Sequence, residues 1–254
     1  LPFKGDEEHS FNSRLGGAAE IFRMDNKYDL TLSSDVELVA TPDSPILYNP
    51  RALFWQEVIT FGLAADSSFY QAGYVHRCKH DVDNIEVEET SGEKRELVLV
   101  YDSIFAAWIS GAFALTSSTA APFETQFYIR ADLFVLNVDE RSTPLPDKNI
   151  NNLRAGLTAG VNSNMFSAGS AIVYSRFRCS LFAFSSGYDF TGEEYAELSM
   201  DYSCEAGVSF MGESGAVSLF LSFERQEMTM INPFNENGYF LFFGVRVADT
   251  DMYY

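Results

Sequence analysis

The sequence predicts an all-β protein, and two observations lead to this prediction. Apolar residues recur at every second position in several long runs, whereas no stretch of comparable length has a helical period. The clearest runs are Leu30–Leu38, Leu153–Val161, Ala196–Phe210 and Val217–Phe223. Runs of about 10 to 15 residues exceed the ~5–6 residues of soluble strands and match the ~9–11 tilted residues that cross a bilayer. The sequence therefore predicts a transmembrane antiparallel β-barrel.

The polar positions within these runs also favour a barrel. Asp, Glu and Arg line the polar face of whole strands, and a hydrated lumen can hold such a face. Charged residues predicted to pair across the lumen, rather than to form a selectivity ring, are Arg130, Asp132, Arg176, Arg178, Glu197, Asp201 and Glu205. Tyr and Phe concentrate near the ends of the runs, as in the aromatic girdles at the two membrane interfaces.

Breaks between the runs set the predicted number of strands. They fall near Asp25–Tyr28, Thr41–Arg51, Ala65–Ser68, Asp81–Lys94, Ser110–Gly111, Ser118–Pro122, Asp139–Asn151, Asn162–Ser167, Ser186–Glu194, Met211–Gly215 and Met228–Gly238. These breaks predict about twelve strands, with ten or fourteen as alternatives, and the count becomes odd without the break at Ser110–Gly111.

In the last strand the residues predicted to face outward are Tyr239, Leu241, Phe243, Val245 and Val247. No linker or repeat divides the chain, so residues 1–254 are predicted to form one domain.

Composition excludes several classes of protein. With 36 Asp+Glu against 17 Lys+Arg the formal net charge is −19, which opposes binding to a phosphate backbone and excludes a nucleic-acid partner. Hydrophobic residues make up 46%, too many for a disordered acidic chain. The longest apolar run, Ile104–Leu115, is shorter than the ~20 residues of a transmembrane helix. Cys78, Cys179 and Cys204 form neither a disulfide framework nor a zinc motif, and no metal or other cofactor is predicted.

One segment, Ser68–Asn84, contains residues that could carry chemistry. In a strand His76 and Cys78 share a face, and folding the hairpin about Ala65–Ser68 places Glu57 beside His76. Glu57 interrupts an otherwise apolar row, as expected of a carboxylate that orients an imidazole. The candidate catalytic residues are therefore Cys78 as nucleophile, His76 as general base and Glu57 as the orienting group.

This arrangement resembles that of the outer-membrane phospholipase and lipid A deacylase barrels. In those families a His and a Ser lie two residues apart on one strand, and a neighbouring strand supplies an orienting side chain. The resemblance implies a lipid acyl hydrolase, although Cys78 stands where those families have Ser. The preferred interpretation is instead non-catalytic: the basic residues His76, Arg77, Lys79 and His80 contact anionic lipid headgroups or pair with acidic loops. A metal site at His76 and His80 is disfavoured by their separation of about 13 Å in a strand, and the acidic segment Asp81–Lys94 is expected to be a solvated loop rather than a calcium site.

A broader resemblance covers most of the chain. The residues that carry it are His76, His80 and Asp83, the segments Tyr128–Leu133 and Leu153–Leu157, the loop Ser186–Glu194 and the segment Gly207–Phe210. The chain is similar here to a family of bacterial outer-membrane barrels of unknown function, which usually have Ser at the position of Cys78.

The leading functional prediction is non-enzymatic. It is an integral barrel of the bacterial outer membrane with a structural, accessory or small-pore role, in contact with outer-membrane lipids or lipopolysaccharide and able to join a larger assembly. The first alternative is the lipid acyl hydrolase that uses Cys78, His76 and Glu57. The second is a soluble secreted β-barrel that binds an apolar ligand, which requires the apolar rows to face inward.

Overall fold

The protein folds into one antiparallel sheet of consecutive strands. The computed structural model describes residues 11–41, 49–65, 67–81, 97–110, 125–141, 153–185, 198–213, 215–226 and 238–248. Its strands are β1 (Phe11–Met24), β2 (Tyr28–Thr41), β3 (Asn49–Ala65), β4 (Ser68–Asp81), β5 (Leu97–Ser110), β6 (Thr125–Arg141), β7 (Leu153–Ala168), β8 (Ala171–Phe184), β9 (Leu198–Met211), β10 (Ala216–Gln226) and β11 (Gly238–Ala248). Every strand pairs with its sequence neighbours, and within the described ranges β1 and β11 are not paired with each other. The all-β prediction is confirmed, with eleven strands in the described part of the chain.

The two ends of the sheet differ in the length of their connections. At one end, called here the short-turn end, tight hairpin turns join β1 to β2, β3 to β4, β7 to β8 and β9 to β10. Asp25 and Asn26 adopt φ angles of 55° and 50° in the first of these turns, as a type I′ hairpin requires. The strand ends joined through residues 42–48, 82–96, 142–152, 186–197 and 227–237 lie at the opposite, long-connection end. Residues 111–124 join β5 to β6 at the short-turn end.

Two of the predicted breaks bear on the number of strands. The extra strand expected between Ser110 and Ser118 falls on residues outside the described ranges, and β5 pairs directly with β6, which leaves no place for a strand between them. The predicted break at Asn162–Ser167 is wrong, because β7 continues to Ala168 and turns at Gly169, where φ is 61°. The polar residues of that stretch are not a turn but a hydrogen-bonded row: Asn162 donates from Nδ2 to Oε1 of Gln126 on β6 at 3.3 Å.

The two faces of the sheet have opposite character. The outward face carries many large apolar side chains that are exposed, for example Ile59, Phe61, Leu221, Phe243 and Val245. This confirms the outward row predicted for β11. The described chain contains no helix of the length and apolarity that a membrane-spanning helix needs.

The inward face is buried although the described residues provide no second layer to cover it. Its buried members include apolar clusters near the long-connection end and a series of serines: Val39, Ala52, Phe54, Leu99, Phe134, Leu153, Phe184, Ser103, Ser199, Ser209 and Ser218. Inward side chains reach past a neighbouring strand, as from Arg77 on β4 to Glu37 on β2 and from Arg246 on β11 to Glu205 on β9, which is typical of a sheet that curls around that face. The inward face is therefore the concave face.

Inward glycines are matched with inward aromatic rings on the neighbouring strand. The register places Gly73 opposite Phe105, Gly160 opposite Tyr128, and Gly244 opposite Phe220. In each pair the ring lies where a Cβ on the glycine would collide with it. At these three positions glycine lets an aromatic ring pack flat against the neighbouring strand inside a curved sheet.

Candidate functional site

The β3–β4 hairpin brings the predicted site residues to one face. Its register pairs Ala65 with Ser68, Glu57 with His76 and Trp55 with Cys78, all on the outward face. The prediction that Glu57 lies beside His76 is confirmed. A hairpin with so short a turn fixes its register, which is why this contact could be derived from the sequence.

The carboxylate that binds His76 comes from the other neighbouring strand. Asp102 on β5 lies opposite His76, and His76 Nδ1 is 2.6 Å from Asp102 Oδ1. The hydroxyl of Tyr74 donates to Asp102 Oδ2 at 2.6 Å, so both carboxylate oxygens have a partner. The Asp102 side chain is 8% exposed and that of His76 is 38% exposed. Asp102 is thus nearly buried beneath a more accessible imidazole.

This geometry defines the protonation pattern of the imidazole. An ionised carboxylate only accepts hydrogen bonds, so Nδ1 of His76 is the donor in this contact when Asp102 is ionised. In the neutral ring Nε2 is then the acceptor, on the opposite side of the ring from Asp102. The pair is therefore arranged as a base whose orientation is fixed by a carboxylate.

Glu57 has a different contact from the one predicted. Its Oε1 accepts a hydrogen bond of 3.2 Å from the indole Nε1 of Trp55, two residues away on β3. Among the described residues, the hydrogen bond to the His76 imidazole that was assigned to Glu57 is made by Asp102 instead. The sequence does contain a signal for Asp102, because it is the single acid in the outward row of β5 from Val100 to Trp108 (Val100, Asp102, Ile104, Ala106, Trp108).

Cys78 lies on the same face, one outward position beyond His76. It is half-buried, and strand geometry separates its Cα from that of His76 by about 6.6 Å. No hydrogen bond joins the thiol to the imidazole within the described part of the chain. The structure therefore places the three predicted residues together on one surface and adds Asp102 and Tyr74 to them.

The site lies toward the long-connection end of the outward face. His76 is eight residues beyond Ser68, which corresponds to about 26 Å along the strand from the short turn. Side chains around and below it, such as Trp55, Ile59, Tyr70 and Ile104, are exposed and apolar or aromatic. A polar cluster thus sits near one border of an apolar band.

The His76 and His80 side chains were also considered in the sequence as metal ligands. His80 is exposed on the outward face opposite Leu53. Among the described residues no group of three or more His, Cys, Asp and Glu side chains could hold a metal ion. The acidic segment that contains Asp83 lies outside the described ranges.

The concave face holds a second set of charged residues. Arg246 on β11 donates to Glu205 Oε1 and Oε2 on β9 at 2.9 and 2.8 Å, and Tyr174 OH on β8 donates to Glu205 Oε1 at 2.9 Å. Arg176 approaches the same carboxylate at 3.8 Å. Arg176 and Glu205 thus lie together on the inward face, but they pair between the adjacent strands β8 and β9 rather than across a lumen. Glu197 lies outside the described ranges.

Similar pairs continue around the concave face. Arg130 forks onto Asp132, Arg77 donates to Glu37 at 3.0 Å, and Arg14 donates to Asp35 at 3.0 Å. Because these cations each contact a carboxylate on the same face, the concave surface is charge-paired rather than uniformly acidic. The net charge of −19 does not come from this surface.

Comparison with known proteins identifies no similar protein from which a function could be inferred. No protein-family model, no curated protein and no solved structure matches the chain. Functional inference consequently depends on the geometry described above.

Proposed function

We propose that the protein is an integral β-barrel of the bacterial outer membrane with a structural, accessory or small-pore role. The observation that carries this proposal is the outward face, where large apolar side chains are exposed on strand after strand. Soluble monomers rarely expose contiguous apolar patches larger than a few hundred Å². A lipid bilayer is the environment in which such a face is stable.

Strand length and the asymmetry of the two ends support the same proposal. The strands contain 11 to 17 residues, enough for the ~9–11 residues of a tilted bilayer crossing. Outer-membrane barrels have short periplasmic turns and longer extracellular loops. In this orientation the long-connection end, with His76 and Asp102, faces the outer leaflet.

Closure is part of the proposal. With eleven strands in the described sheet, β1 and β11 run in the same direction, so they close the barrel either as a parallel seam or through one further strand antiparallel to both. Closure would remove two exposed sheet edges, which are otherwise sites of aggregation.

The charge-paired concave face favours a structural role over a wide ion-selective pore. Selective pores expose rings of unpaired charge to the permeating ion, whereas here the inward residues Arg77, Arg130 and Arg246 are each engaged by a carboxylate. The apolar cluster that contains Leu99, Phe134 and Leu153 fills part of the concave face and so leaves less room for a pore. The alternative of a soluble barrel with an apolar ligand is disfavoured, because its apolar rows must face inward.

Heat modifiability on SDS gels tests the barrel. The full chain is extracted in mild detergent and run with and without boiling, and a closed SDS-resistant barrel changes mobility between the two samples. Unchanged mobility together with good solubility in detergent-free buffer would overturn the proposal.

A second candidate function, hydrolysis of a lipid acyl ester, is favoured by the hydrogen bond between His76 and Asp102. The Cys78 thiol would give its proton to His76 Nε2 while Sγ attacks the ester carbonyl carbon. The tetrahedral intermediate then expels the lysolipid oxygen, which takes that proton, and a thioester remains on Cys78. Water attacks the thioester, gives a proton to His76 that returns to the thiol, and releases the fatty acid. Throughout, Asp102 holds the Nδ1–H of His76.

Variants of the outward face test this second function. Cys78→Ala should abolish hydrolysis of phospholipid in mixed micelles, and Cys204→Ala, an exposed cysteine on β9, is the matched control. Asp102→Asn should lower the rate strongly, whereas Glu57→Gln should lower it less, because Asp102 makes the hydrogen bond. Hydrolysis by Cys78→Ala at the wild-type rate would refute this mechanism.

A further inference from the structure

The outward face carries one carboxylate that has no cationic partner in the described part of the chain. Glu57 lies in the outward row of β3 and is exposed, and no ion pair is formed by it among the described residues. By contrast Asp102, on the same surface, is engaged by both His76 and Tyr74. A free carboxylate on a face of exposed apolar side chains is costly, so the identity of its partner is informative.

Trp55 shapes the surroundings of this carboxylate. Its indole is 44% exposed, and the Nε1–H donates to Glu57 Oε1 at 3.2 Å. This bond pins the ring beside the carboxylate and leaves part of the indole accessible from the membrane side. An exposed indole next to a carboxylate attracts a cation by two interactions: a cation–π contact with the indole ring and Coulomb attraction to the carboxylate.

We propose that Trp55 and Glu57 form a binding site for the ammonium group of a lipid headgroup, as in phosphatidylethanolamine. The proposal rests on the membrane location proposed above but not on hydrolysis. The site lies at the level of His76, near the border of the apolar band where headgroups begin. A headgroup that has only its phosphate charge, such as phosphatidylglycerol, is repelled by Glu57 and gains nothing from the indole.

If the acyl hydrolase function also holds, the same site selects its substrate. Glu57 and His76 are directly opposite each other across the β3–β4 pair, so a headgroup held at Glu57 lies beside the imidazole. The substrate class is then an ammonium-bearing glycerophospholipid. In this arrangement Glu57 determines specificity, whereas Asp102 orients the imidazole.

The two tryptophans of the chain provide a direct test. Trp108 is also outward-facing but lies opposite Tyr70, near the short-turn end, and its indole donates to Ser68 Oγ at 3.1 Å and not to a carboxylate. The full chain would be placed in mixed micelles with phosphatidylethanolamine or phosphatidylglycerol that carry the same brominated acyl chains. Tryptophan quenching is then measured in the Trp108→Phe and Trp55→Phe variants, so that each indole is read alone.

The expected result is a preference confined to one indole. Trp55 should be quenched by the ethanolamine lipid with an apparent affinity about two- to fivefold above that of the glycerol lipid, the size of an exposed cation–π contact. Trp108 should not distinguish the two lipids, and it controls for general repulsion of anionic lipid by the acidic chain. Adding Glu57→Gln to the Trp108→Phe background should abolish the preference at Trp55.

Two results would overturn the proposal: equal quenching of Trp55 by both lipids, or a preference that survives Glu57→Gln. Failure of the membrane location itself has a different signature. Neither indole would then be quenched by either brominated lipid.

Discussion

Replacing Gly73 with alanine should destabilise the protein strongly, because the inward face of β4 has no room for a methyl group at this position. A Cβ on Gly73 would collide with the backbone oxygen of Ile59 and would lie 2.6 Å from Cε1 of Phe105. Overpacking of this kind typically costs about 1–3 kcal/mol. The phenyl ring can rotate away, but the Ile59 carbonyl belongs to a paired strand and cannot. We therefore expect about 3 kcal/mol, which lowers the folding equilibrium constant roughly a hundredfold.

The variants are unfolded with urea in lipid vesicles. At each urea concentration the folded fraction is measured as the share of protein that still runs as the heat-modifiable band. Gly17→Ala on β1 is the matched control, because no atom beyond Gly17 and its two chain neighbours lies within 4 Å of the position of the added methyl group. That change should stay within about 0.5 kcal/mol of wild type. If Gly73→Ala unfolds at the same urea concentration as Gly17→Ala, the register that stacks Phe105 over Gly73 is refuted.

Three further outcomes are expected. Glu205→Gln should lower the free energy of unfolding by about 2–4 kcal/mol, because Glu205 is the shared acceptor of a partly buried network; urea titration checks this against Glu213→Gln, an exposed residue of the β9–β10 turn. If the chain hydrolyses lipid esters, Asp102→Asn should reduce kcat by about 10²- to 10⁴-fold with little change in unfolding, as measured by fatty-acid release. Finally, brominated lipids should quench Trp55 and Trp108 emission in single-tryptophan variants, and unquenched emission from both would contradict the outward orientation toward lipid.

A feature of this fold can be predicted from the sequence where strand alternation or a short turn constrains it. Strand faces follow from alternation alone, so the outward row of β11 was predictable from residues such as Phe243 and Val245. The pairing of Glu57 with His76 in the strand register was predictable because a short hairpin turn fixes the register of β3 against β4. Alternation alone does not determine the number of strands. The polar residues around Asn162 predict a turn from sequence, whereas they lie within strand β7.

Asp102 could not be placed by the same reasoning. The connection between β4 and β5 spans residues 82–96, and a connection of that length leaves the register of the two strands open. A shift of two residues keeps the same face and would bring Val100 or Ile104 opposite His76 in place of Asp102. The sequence could indicate that an acid in an apolar outward row is unusual, but only the structure pairs it with the imidazole.

The positions of the two outward acids help to separate the two proposed functions. A barrel with a purely structural role gains nothing from Asp102 and Glu57 on its lipid-facing surface, where charged side chains are destabilising by an amount that increases with depth. Asp102 is compensated by Tyr74 and His76, whereas Glu57 is bonded only to the indole of Trp55 among the described residues. Both acids lie at the same level, near the long-connection end. In the proposed membrane orientation, a charge costs less at that level and lipid headgroups can reach both acids. The outward face therefore contains the chemistry that a structural barrel does not need, and tests of function should start there rather than in the charge-paired interior.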